Sequence, residues 1–238
     1  MLLKTFRSQQ PANYILLSGI ALLLWLPVLL SSPVDFPGFQ PMPGYAWLAA
    51  LLPGRAGIIV AFLLVLAEAF YLNVLINKYE VLYKPSFLPA LFYILFMSFA
   101  RSVMWLHPPL LVNLLLLLFF DRAFALFKQA ALTRLLFDCS FFMGLALLFH
   151  LPAVVYFILL FLSLGIIRTL NAKEWMVVLT GYCLPLYFCA VWFFWTGSLK
   201  EVVTSLSIRL PATEDFTGKI SLQAVSYTHL TLPTILRV

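Results

Sequence analysis

The sequence predicts an all-α fold, a polytopic bundle of about seven transmembrane helices with a cytoplasmic N-terminus. Three observations lead there. Of the 238 residues, 63% are hydrophobic and only 10% charged, and the mean hydropathy is +1.02. A soluble domain of this size has too much polar surface for such a composition. The apolar residues also gather in runs near the roughly 17–25 residues that cross a bilayer as a helix. Finally, the basic residues concentrate in every second connection, which is how inner-membrane chains mark their cytoplasmic loops.

The first span is expected over 14–30, preceded by Lys4 and Arg7. Its long apolar run, with no small-residue cleavage site after it, separates it from a secretory signal peptide. Residues 31–45 hold Pro33, Pro37, Pro41 and Pro43 with Gly38 and Gly44, a composition that breaks helix and strand alike and reads as an external loop. A short interfacial helix follows at 47–52, with Tyr45 and Trp47 suited to the aromatic belt. The second span is expected at 57–76, and the third starts at Pro85 and reaches Ala100. After a loop anchored by Trp105 come the fourth span at 110–127 and the fifth at 135–149. His150-Leu151-Pro152 is a tight break before the sixth, 153–167. The seventh covers 175–195.

With the N-terminus inside, the inner loops receive Lys4, Arg7, Lys78, Lys84, Arg122, Lys128, Arg134, Arg168 and Lys173, against Arg55 and Arg101 outside. Inverting the chain would invert that bias, so the bias supports the N-in orientation. The net charge of +6 is thereby a topology signal. It is not a nucleic-acid footprint, since no basic patch with interleaved aromatics occurs.

Polar residues inside the apolar runs are the candidates for function. Glu68 lies near the middle of the second span, where a carboxylate costs about 2.5–3.5 kcal/mol on insertion scales. It therefore faces the bundle interior or a wet cavity, or is protonated, and serves as a proton relay, a substrate contact or a neutral acid that hydrogen-bonds a neighbouring helix. Asn73, Asn77, Glu80 and Lys84 would form one polar stripe if the helix continued past the interface. Asp121 and Arg122 end the fourth span, and Arg134 and Asp138 stand four apart at the start of the fifth. Together they could form one cytoplasmic ion network, acting as a clamp or, through Arg122, Arg134 and Lys128, binding an anionic phosphate. Asp35 is the acid of the first external loop, the place where membrane glycosyltransferases using polyprenyl-phosphate sugars keep a catalytic Asp. Cys139, Cys183 and Cys189 lie in or beside apolar runs without CxxC spacing and read as packing residues. No metal site or cofactor is expected. The nucleotide-binding and hydrolase motifs of the Walker A, GxGxxG, HExxH and GxSxG kinds do not occur on a suitable element.

The tail from Val225 reads VSYTHLTLPT, which resembles the translation of a transposase sequencing adapter. On that reading the authentic chain ends near Ala224, residues 1–224 form a single incomplete membrane domain, and 225–238 are an artefact of a cut gene. Several stretches resemble an uncharacterised family of polytopic inner-membrane proteins from Bacteroidetes-type bacteria. They are LLLWLP from Leu22, NKYEVLYKPSFLPALFYIL from Asn77, the NLLLLL run from Asn113, the basic linker 128–134, LFDCSFFMGLALLF from Leu136 and NAKEW from Asn171. The resemblance implies a bacterial inner-membrane helix bundle and supplies no catalytic residues. The oxygenase label carried by some members needs a four-histidine iron site, which His107 and His150 do not complete.

The functional expectation is an accessory or scaffold protein in envelope polysaccharide or lipid assembly, with membrane lipids and membrane proteins as partners and no nucleic acid. One alternative is an enzyme transferring lipid-linked sugars, dependent on Asp35. Another is a proton-coupled transporter, dependent on Glu68.

Overall fold

The computed structural model describes Phe6 and residues 11–31, 42–99, 104–126, 132–156, 158, 162, 165 and 171–197. Among these residues every regular element is helical.

Helix α1 (Ala12–Leu30) starts after Pro11, whose fixed φ of −55° suits a helix start. Its buried residues Asn13, Leu17, Ala21 and Trp25 recur every fourth position and form one stripe. Helix α2 (Pro43–Leu51) opens on a proline and stops at Leu52, just before Pro53-Gly54. Gly54 has φ 62° and ψ −125°, a conformation closed to side chains with a Cβ, and it turns the chain into α3 (Arg55–Lys78). At 24 residues α3 is about 36 Å long, enough to cross hydrocarbon.

Helix α4 (Leu88–Met97) has ten residues, fewer than the expected span over 85–100. The shortening has a visible cause. The Ser86 N–H donates to Asn77 Oδ1 (3.3 Å), and the Phe87 N–H donates to the Phe6 carbonyl (2.8 Å). These tertiary bonds hold 86–87 out of the helix. Helix α5 (Pro108–Ala125) begins on two prolines, and α6 (Leu132–Phe149) starts three residues before the expected 135. A 3-10 turn (Leu151–Val154) follows it. Most of the expected sixth span lies outside the described residues. Helix α7 (Ala172–Trp195) begins earlier than expected because Asn171 and Glu174 form a capping box, with the Asn171 N–H donating to Glu174 Oε2 (2.8 Å).

Among the described residues four helices, α1, α3, α5 and α7, are long and apolar enough to cross a membrane, and α4 is a shorter apolar helix. Helix α3 packs on α1, α4 and α5; α6 packs on α5, α7 and α2. Small residues let α6 and α7 approach closely. A Cβ on Gly144 would lie 2.3 Å from the Tyr182 carbonyl oxygen, and one on Gly181 would lie 2.2 Å from Ser140 Oγ and 2.9 Å from the Phe137 carbonyl oxygen. Outward positions carry Leu23, Leu63, Phe96 and Trp192, a surface suited to lipid.

At one end of the bundle Trp25 and Tyr45 are buried against α3, Met104 and Leu106. Trp25 Nε1 donates to Ser98 Oγ (3.0 Å), and Tyr45 Oη donates to the Leu106 carbonyl (2.7 Å). Both rings thereby bury an apolar body with a satisfied polar tip.

Candidate functional site

Glu68 sits on the face of α3 that also carries Ala61, Val65 and Ala69, all buried. The small side chains at 61 and 69 bring α4 and α5 near enough for two polar residues to reach the carboxyl. Tyr93, from α4, donates its hydroxyl proton to Glu68 Oε2 in a short hydrogen bond. Asn113, from α5, places Nδ2 3.2 Å from the same oxygen and 2.6 Å from Tyr93 Oη. The cluster thus joins three helices through side chains alone.

Glu68 is 0% exposed, and its Oε1 has no hydrogen-bond partner among the described residues. A single carboxyl with both donors on one oxygen and the other oxygen free has room for a proton on Oε1. Such a group can tie helices together as a neutral acid, or it can take up and release a proton.

Sequence reasoning found Glu68 and missed its partners. Asn113 was open to detection, being a polar side chain in an otherwise apolar run. Tyr93 carried no such signal, because tyrosine is common in membrane helices.

The charged end is arranged differently from the expected single network. Lys78 Nζ bonds Asp121 Oδ1 at 2.6 Å, and Tyr79 Oη lies 2.7 Å from the Asp121 carbonyl oxygen and 3.1 Å from its Oδ1. Separately, Arg122 Nε lies 3.6 Å from Asp138 Oδ2. Arg134 is exposed and makes no ion pair among the described residues. Arg134 and Asp138 stand four apart on α6, but α6 packs on α5 and the Asp138 carboxylate pairs with Arg122 there. Each pair links two helices and is open to solvent, so each contributes at most about 1 kcal/mol. Burial raises the Tyr79 phenol above its usual value.

The expected polar stripe along α3 also breaks up. The helix stops at Lys78, and Glu80 takes a φ of 53° that turns the chain away. Asn73 points inward and is 2% exposed. Asn77 Nδ2 donates to the Ser86 carbonyl (3.4 Å). Asp35 and Lys128 lie outside the described residues.

At the opposite end of α5, His107 precedes the helix with Nδ1 2.8 Å from the Trp105 carbonyl oxygen, placed to donate to it. Burial lowers the pKa of His107 and of His150, and the nearby His107 charge lowers His150 further. Among the described residues no group of three or more His, Cys, Asp or Glu could hold a metal ion. Cys139 is buried, Cys189 half-buried and Cys183 exposed, all as free thiols. No protein-family model, no curated protein and no solved structure matches the chain.

Proposed function

We propose that the chain is a multi-pass protein of a bacterial inner membrane that works as an accessory or scaffold component in envelope polysaccharide or lipid assembly. The observation that carries this reading is the buried Glu68–Tyr93–Asn113 cluster, which fastens α3, α4 and α5 into one unit. A scaffold needs helices held in fixed relation, and interhelical hydrogen bonds between side chains serve that end in a lipid solvent. The excess of Lys and Arg in alternate loops supports the orientation with the Lys78 end cytoplasmic.

The free Oε1 of Glu68 favours a second reading, a proton-coupled transporter. One variant separates the two. Glu68→Gln keeps the shape and hydrogen-bonding capacity of the side chain but carries no titratable proton. A scaffold keeps its stability in this variant, and reconstituted vesicles show the same proton flux with either protein. A transporter loses proton-coupled flux in Glu68→Gln while remaining folded. For the biological role, deletion of the gene in its source bacterium should alter surface polysaccharide or lipid composition, and an unchanged envelope would sink the scaffold assignment.

A further inference from the structure

Where α1 begins, α3 ends and the α3–α4 connection turns back, there is a cleft of about 500 Å³. That lies within the roughly 300–1,000 Å³ of small-ligand clefts. Tyr14, Val74 and Phe87 supply apolar wall, and Asn73, Asn77 and Lys78 supply the polar lining. Two of the polar groups are already engaged. Asn77 exchanges hydrogen bonds with the Ser86 backbone, and Lys78 gives one of its three N–H groups to Asp121. Asn73 differs: it is 2% exposed, and its Oδ1 is buried with no hydrogen-bond partner among the described residues.

An unpaired buried amide oxygen costs about 1–3 kcal/mol. Asn73 Oδ1 is closed to solvent, so a ligand donor removes that penalty once the side-chain amide turns its oxygen toward the cleft. A hydroxyl complements a carboxamide on both sides, since it donates to Oδ1 and accepts from Nδ2. Lys78, 52% exposed, adds two further N–H donors and a cation suited to a phosphate oxygen. The cleft lies at the ends of two helices long enough to cross a membrane, at the depth where lipid headgroups are concentrated. We propose that it binds the glycerol phosphate headgroup of an anionic phospholipid, with a glycerol hydroxyl on Asn73 and the phosphate on Lys78. None of the Glu68 cluster takes part, so this site stands apart from the scaffold and transporter readings.

The test uses the full chain purified in detergent and titrated with phosphatidylglycerol or phosphatidylethanolamine of matched acyl chains. Retained lipid is read by native mass spectrometry, with sn-glycerol 3-phosphate as the soluble counterpart. The expected result is about tenfold preferential retention of phosphatidylglycerol, lost in Asn73→Leu and in Lys78→Gln. Val74→Trp narrows the cleft from an exposed position and should abolish the preference too, which keeps the test open if Asn73→Leu does not fold. Equal retention of the two lipids, or a preference that survives Asn73→Leu or Val74→Trp, overturns the proposal. Binding of sn-glycerol 3-phosphate without phosphatidylglycerol would assign the cleft to a soluble ester and overturn the lipid assignment.

Discussion

Both hydrogen bonds to Glu68 arrive at one oxygen, so its two partners are not equivalent in effect. Asn113 bonds the carboxyl and also the Tyr93 hydroxyl, so it orients the residue that donates the shorter bond. Tyr93→Phe should lower stability by about 0.6–2 kcal/mol, the range for interhelical hydrogen bonds in membranes. Asn113→Leu should lower it by more. Residues sharing one network couple, so the double variant should lose less than the sum of the two singles. Denaturation in mixed micelles measures all three, and strict additivity would show that the three side chains act independently. The sequence exposed this site only in part, for a physical reason. A carboxylate in an apolar run is anomalous wherever the helices lie, whereas its partners are 25 and 45 residues away and become visible only once three helices are packed. The same holds for Asp138, whose choice of Arg122 over Arg134 depends on the rotation of α6 against α5.

The two histidines make a prediction with a defined sign. Burial holds the folded pKa of His107 and His150 below the ordinary imidazole value of 6.5. In the interval beneath that value the unfolded chain binds more protons than the folded one, so stability is full above it and falls as pH drops through it. Melting at pH 8 should therefore exceed melting at pH 5, and His150→Gln should reduce the difference. An unchanged acid limb in that variant would remove His150 as a cause.

At the scale of elements, helix existence was legible and helix ends were not. The apolar runs located α1, α3, α5 and α7, because a stretch that must satisfy its backbone in lipid has little choice but helix. The start of α4 was hidden, since it is set by the Phe6 carbonyl and the Asn77 side chain, contacts that periodicity does not encode. The α6–α7 contact gives the clearest element-level test. Gly144→Ala drives a methyl into the Tyr182 backbone and should weaken the pair by about 1–3 kcal/mol. Gly181→Ala should behave similarly, although Ser140 can relieve part of its clash by changing rotamer. Gly19→Ala is the control: nothing lies within 4 Å of its added Cβ, and alanine favours helix, so stability should hold or rise. Thermal melts of the three variants in one detergent decide the order.

For the whole molecule, the charge bias makes a prediction about sidedness. Green fluorescent protein fused after Lys84 should fluoresce, and alkaline phosphatase fused after Trp105 should be active. The reverse pattern would invert the orientation. The number of spans beyond the four membrane-length helices can be read from the same fusion series.

The near-touching backbones of α6 and α7 have a consequence for how the bundle comes apart. That pair is held by shape, through close contacts of Gly144 and Gly181 with little rotamer freedom to lose. The group of α3, α4 and α5 depends on a carboxyl and two hydrogen-bond donors. The two groups share the α5–α6 interface, where Phe119 and Ala123 pack on Leu136 and Cys139, yet the forces inside each are of different kinds. Replacing Glu68 with leucine, which removes both hydrogen bonds where Glu68→Gln retains them, should loosen α3, α4 and α5 and spare the close contact of α6 with α7, so that amide protection falls in the first group and holds in the second.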